Sequence, residues 1–293
     1  MLKPICGLIF SVFILSGLYP LSSSCDLLVF SFDRPMQLYS FLESLETRGK
    51  NLSKVSIFYR FSPSFQTGYE IVQQRFSQYF FVQQSSLYSK EEFQPKVLEL
   101  AFGDAESGST HIAFAVDDLI ITEEIDFQDG VEKLIQSNAY GLYYRLGKNI
   151  LYCYMQKSPQ EIPLLHDLEN GYFSWPLKMG QKDWGYSNTL DLAIYKKSEI
   201  EKDLRDIYFT NPNEMEGRWP AKSHAIGLCC PHSKAVNVLL NTVSEQSGPN
   251  FRLTHPVALN HLFLSGLKIN IEPFDHMDNR SPHITPLLKY TPR

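Results

Sequence analysis

Asp117 and Asp118 are the first residues on which chemistry can be argued. They interrupt residues 112–121, IAFAVDDLII, a run otherwise wholly apolar. Burying carboxylates is costly, so two adjacent ones in such a run ask for a use of their charge. Alternation along a strand sends neighbouring side chains to opposite faces, which lets one acid face a crevice while the other supports it. A hard divalent cation, Mg2+ or Mn2+, is held by one or two carboxylates together with phosphate oxygens of a substrate. The pair therefore reads either as a metal-and-phosphate site or as a turn after a strand, where Asp is common.

The elements that must position the pair follow from hydrophobic periodicity. Short apolar runs at 27–32, 54–60 (KVSIFYR), 79–83 (YFFVQ) and 111–116 predict four strands. Between them, helical spacing predicts helices over 37–47, 69–76 and 91–102. Strands that are apolar throughout, alternating with helices, predict an α/β fold with a mostly parallel sheet covered on both faces. In such a sheet ligands bind beyond the carboxyl ends of the strands, and the acid pair closes the fourth. The second half is more irregular. Strands are expected at 140–146 and 190–195 and a helix at 198–207, around an aromatic, loop-rich stretch at 161–187 that holds Trp175 and Trp184. Those rings, with Tyr172 and Tyr186, read equally as platforms for sugar faces or as core.

The chain of 293 residues is long enough for a substantial core. Its formal charge of −5 comes with no basic stripe, which argues against nucleic acid as a partner. Five cysteines do not form a disulfide framework in a chain of this length, and no Cys/His spacing suggests zinc. Residues 1–25 read as a signal peptide or membrane anchor, with Lys3, an apolar run over 5–18, and SSSC at 22–25 resembling a lipoprotein processing site. The expected localisation is exported or membrane-anchored through this segment. No GxSxG, P-loop or GxGxxG motif is present.

The order of strand–helix steps ending in Val116-Asp117-Asp118 resembles the nucleotide-diphospho-sugar transferases, the GT-A glycosyltransferases, in the manner of their family 2. The opening stretch Val29-Phe30-Ser31-Phe32-Asp33-Arg34-Pro35 is similar to that family's first strand and loop, and the resemblance covers about residues 26 to 220. It implies a single GT-A-like domain over 26–293, with 26–120 binding the nucleotide sugar and 121–293 serving acceptor and catalysis. It implies donor contacts from Ser31, Asp33, Arg34, Asp117, Arg60 and Lys96. The second strand ends in Tyr59-Arg60 where the family often has an Asp that meets uracil, so a UDP- or a GDP-linked donor remains open. It implies a Mn2+ or Mg2+ ion on Asp118 and Asp117, with a C-terminal histidine, His283, as third ligand and His232 behind it. It also implies a carboxylate base for an inverting reaction, Glu216 first, then Glu214, then Asp191, with Asn211 or Asn213 capping the helix that presents them.

The function expected on this resemblance is metal-dependent transfer of a sugar from a nucleotide-diphosphate donor to a hydroxyl of a glycan, lipid or protein acceptor. The alternative is a non-catalytic, exported carbohydrate- or protein-binding module on the same scaffold, since fold does not fix function. A hydrolase would need two acids at a defined separation across a cleft, and no such pairing is legible in the sequence.

Overall fold

The computed structural model describes residues 24–85, 90–103, 108–168, 171–241 and 254–293. Of the leader predicted at 1–25, residues 1–23 lie outside them, and among the described residues no helix is long and apolar enough to cross a membrane. Cys25, the residue an acyl chain would modify, is wholly buried. Its side chain packs in the core.

The main sheet has nine strands, β1 (Cys25–Phe32), β2 (Leu52–Arg60), β3 (Phe80–Gln83), β4 (His111–Val116), β5 (Gly141–Tyr143), β6 (His166–Asp167), β7 (Phe173–Pro176), β8 (Ala193–Lys196) and β9 (Ile226–Cys229). Their spatial order is β6-β7-β9-β5-β8-β4-β1-β2-β3. All run in one direction except β7 and β8. The sheet is thus mostly parallel, as the continuous apolar strands predict. Alternation divides each inner strand between two cores. Leu27, Val29, Ile57, Ala113 and Ala115 face one, and Leu28, Phe30, Phe58, Ile112 and Phe114 face the other.

Helices α1 (Pro35–Arg48), α2 (Gln66–Arg75), α4 (Phe127–Ser137) and α7 (Pro256–Leu264) bury apolar residues in the first core. Helices α3 (Phe93–Phe102), α5 (Lys197–Asp206) and α6 (Pro212–Arg218) bury theirs in the second. A smaller sheet joins Leu119–Ile121, Ala235–Val238 and His283–Ile284 next to the end of β4.

Two expected strands are shorter than the apolar pattern suggests. After Tyr143 the chain turns, with Leu146 N donating to Tyr143 O, so β5 stops there. Leu192 adopts φ 55°, which breaks the extended run, and β8 starts only at Ala193. Helix α4 has no counterpart among the predicted helices, although Phe127, Val131 and Leu134 are spaced for one buried face, Asp126 caps it and Asn138 ends it in the left-handed conformation. Gly130 on that face is closely packed, since a Cβ there would lie 2.3 Å from the Tyr144 hydroxyl.

Candidate active site

Strand order fixes where the site lies. From β1 the chain moves outward to β2 and β3, then returns to β4 on the other side of β1. The carboxyl ends of β1 and β4 therefore flank the switch point, where connections leave in opposite directions and open a crevice. A cleft of about 690 Å³ lies there, lined among others by Ser31, Phe32, Arg34, Arg60, Asp117, Asp118, Asp191, Glu214, Glu216, Asn237, Asn241 and His283.

The two strand ends are tied together by Asp117. Its Oδ2 accepts from Ser31 Oγ at 2.9 Å and from Phe32 N at 3.2 Å. Its Oδ1 lies 3.0 Å from Arg34 Nη1, and the same nitrogen lies 3.0 Å from Asp118 Oδ2. Arg34 is held in turn by Asn241, whose side-chain oxygen accepts from Nε at 2.9 Å and whose backbone oxygen accepts from Nη2. Tyr69 completes the corner, its hydroxyl 2.7 Å from Ser31 Oγ and accepting from Arg34 N. Burial pushes the Asp117 carboxyl up to about 6, Asp118 adding to the effect and Arg34 opposing it.

The second cluster comes from the irregular half. Asn211 caps α6 by accepting from Glu214 N at 3.0 Å, so the proposed cap is in place and α6 presents Glu216 to the cleft. Glu216 Oε1 accepts from Leu190 N at 2.9 Å. Burial and the neighbouring Asp191 charge push its carboxyl up to about 7. Glu214 is engaged otherwise: it accepts from Thr210 N and Oγ1 at 2.8 and 2.9 Å and pairs with Arg218 at 3.3 Å. Burial raises its carboxyl, but the Thr210 hydrogen bonds and the Arg218 charge hold it below the ordinary value. Asp191 lies 3.4 Å from His283 Nε2 and accepts from Asn237 Nδ2 at 3.0 Å. Burial disfavours the charged His283, yet Asp191 outweighs it and raises the imidazole, while His283 lowers Asp191.

Asn237 joins the two clusters. Its Nδ2 also donates to Asp118 Oδ1 at 3.3 Å. The small sheet places it, pairing Asn237 with both Leu119 and His283. Behind the second cluster sits Arg145, 1% exposed, its Nη1 3.3 Å from Asp183 Oδ1. Its charge opposes the upward push on Glu216.

Several sequence expectations are corrected by these positions. His283 meets Asp191, not the acid pair, because its strand runs beside Asn237 on the far side of that side chain. Among the described residues no group of three or more His, Cys, Asp or Glu is arranged to hold a metal ion. His232 bonds Glu123 and Asp278 at 3.3 and 3.1 Å, outside the cleft. Lys96 pairs with Glu99 at 2.6 Å on α3 and does not line the cleft. Asp33 accepts from Ser62 N and Oγ at 2.6 and 2.7 Å, and so fixes the loop rather than lining the cleft. Arg60 stacks on Phe32 at 4.1 Å and does line the cleft. Trp175 and Trp184 are buried and pack on each other at 5.1 Å, so they are core. Tyr172 is likewise buried, while Tyr186 is 42% exposed and hydrogen-bonds Glu216.

As to a divalent ion, two carboxylate oxygens converge on a single point, and their chemistry suits Mg2+ or Mn2+. A guanidinium nitrogen sits at that point. A cationic group thus already stands between Asp117 and Asp118, the two residues that would hold a metal, with substrate and water oxygens completing its ligands.

No protein-family model matches the chain. Over 199 residues, 62% of the chain, it is 26% identical to the bifunctional glycosyltransferase pgtA of Dictyostelium discoideum. The chain spans only 25% of that relative's length. The sequence likeness is to a glycosyltransferase. Solved structures with a similar chain path include the mannosyltransferase PcManGT from Pyrobaculum calidifontis in complex with GDP-Man and Mn2+, at 9% identity and a TM-score of 0.44, covering 76% of this chain and 58% of that one. Another is S. aureus TarS 1-349 in complex with UDP, at 12% identity and a TM-score of 0.44, covering 70% and 60%. At these scores the likeness is one of loose chain path, from which nothing about chemistry follows.

Proposed function

We propose that the chain is a glycosyltransferase that moves a sugar from a nucleoside-diphosphate donor to a hydroxyl acceptor. One observation carries this reading. The acid pair at the switch point and a carboxylate pushed up to about 7, Glu216, line the same cleft. A base whose pKa lies near the working pH is suited to proton abstraction from a hydroxyl. The sequence likeness to a glycosyltransferase supports the same reaction class.

In this reading the nucleotide enters beside β1 and β2, where Phe32 and Arg60 form a stacked pair at the cleft wall. Asp117 and Asp118 would hold a divalent ion, which when bound neutralises charge on the diphosphate. Glu216 takes the proton of the acceptor hydroxyl. The acceptor oxygen bonds to the anomeric carbon as the bond from that carbon to the diphosphate breaks, and the electron pair leaves with the diphosphate. A base acting on the incoming hydroxyl corresponds to direct displacement with inversion. Asp191 and His283 hold each other in place and keep negative charge beside Glu216, which maintains its basicity.

The test is incubation with a panel of UDP- and GDP-sugars and Mn2+, measuring released nucleoside diphosphate. At least one donor is expected to turn over, with Glu216→Gln slower by about 10²–10⁴-fold. No turnover and no nucleotide binding by folded protein would instead favour a non-catalytic binding module.

A further inference from the structure

Arg34 Nη1 occupies the one point on which Asp117 Oδ1 and Asp118 Oδ2 converge, at 3.0 Å from each. The three side chains are 11%, 4% and 8% exposed, so water screens this contact little. The guanidinium is also clamped from behind, by both the side-chain and the backbone oxygen of Asn241. It reaches the acids from the residue just before α1, whose first turn begins with Pro35. A guanidinium nitrogen and a divalent ion cannot share that point, since like charges at contact in a poorly screened site repel strongly. The acid pair alone offers a divalent ion too few ligands, because such sites are completed by substrate phosphates and water.

We propose that Arg34 is a place-holding cation. It neutralises part of the acid pair in the empty cleft and competes with the divalent ion for it, so the metal enters only as the guanidinium swings away. Released, Arg34 becomes a planar, multi-donor ligand for the diphosphate that arrives with the metal. The competition rests on the geometry alone. The second role of Arg34 rests on the reading of the cleft as a nucleotide-sugar site.

The test uses the full chain and Mn2+ alone, without nucleotide, at neutral pH, with free Mn2+ followed by electron paramagnetic resonance. Arg34→Gln is expected to bind Mn2+ about tenfold or more tighter than the unmodified protein. Adding Asp118→Ala to Arg34→Gln is expected to remove that gain. Equal or weaker binding by Arg34→Gln overturns the proposal, and so does a gain that survives loss of Asp118. Asn241→Ala keeps every charge and removes only the side-chain half of the clamp, so it decides the matter if circular dichroism shows Arg34→Gln to be unfolded. It is expected to tighten Mn2+ binding about threefold, and unchanged affinity overturns the proposal. A gain in Mn2+ affinity in protein that binds neither UDP nor GDP would uphold the competition and remove the transferase reading.

Discussion

Replacing Glu216 by Gln is expected to remove most activity and yet stabilise the fold above neutral pH. The Glu216 carboxyl is pushed up from 4.5 to about 7 by burial and by Asp191. Below about pH 4.5 it is protonated in both folded and unfolded chains and has no effect on stability. As pH rises, the unfolded chain ionises first, so stability falls, and the full loss is in place above about 7. At about 1.4 kcal/mol for each pKa unit this displacement is worth about 3 kcal/mol, reduced to about 1–2 kcal/mol because Glu216 is only half-buried. Gln is neutral throughout and keeps the oxygen that accepts from Leu190 N. Glu216→Gln should therefore melt about 2–4 °C higher than the unmodified protein at about pH 8, and within about 1 °C of it at about pH 5. Thermal unfolding followed by circular dichroism at the two pH values measures this. A variant that melts lower at about pH 8, or a difference that does not change with pH, would refute the reasoning.

Removing the Asp191 charge by Asp191→Asn should lower the pKa of Glu216, since that charge helps to raise it, and should move the acid limb of the pH–rate profile down by about one unit. His283→Gln should destabilise by about 1 kcal/mol near pH 6, read from urea midpoints, and by less at high pH, because the raised imidazole pKa gives stability that is lost as pH rises through it. Arg145→Met should cost about 3–5 kcal/mol by leaving Asp183 buried without its partner, measured by urea unfolding. Lys96→Ala should leave donor turnover unchanged and stability within about 0.5 kcal/mol, since its partner Glu99 is a surface residue.

Much of the first half was legible because its strands carry a local signal. Strands β1, β2 and β4 are apolar on both faces, and the end of β4 coincides with the acid pair. The rest of the site is assembled over long separations that no local pattern marks. Asn237 reaches Asp118 across 119 positions, and Asn241 reaches Arg34 across 207. An asparagine in an apolar segment carries no sequence signature of bridging two carboxylates. Arg145 was hidden in the same way, within the run YGLYYRL, although a lone cation in such a run is a signal that a buried partner must exist. Lys96 shows the opposite error. Helical periodicity places it on α3, but the rotation of α3 relative to the cleft is set by packing against α5 and β1, which the pattern does not record. The resemblance assigns His283 to the metal and it does line the cleft, yet the choice of Asp191 over the acid pair depends on sheet register, which only the pairing with Asn237 reveals.

In the proposed function the cleft between β1 and β4 binds a nucleoside diphosphate through the acid pair. Calorimetric titration of the protein with UDP and GDP, with and without Mn2+, in unmodified and Asp118→Ala forms, tests it most directly. Binding of one of the two nucleotides is expected, requiring Mn2+ and lost in Asp118→Ala. Folded, unmodified protein that binds neither nucleotide in the presence of Mn2+ would contradict it.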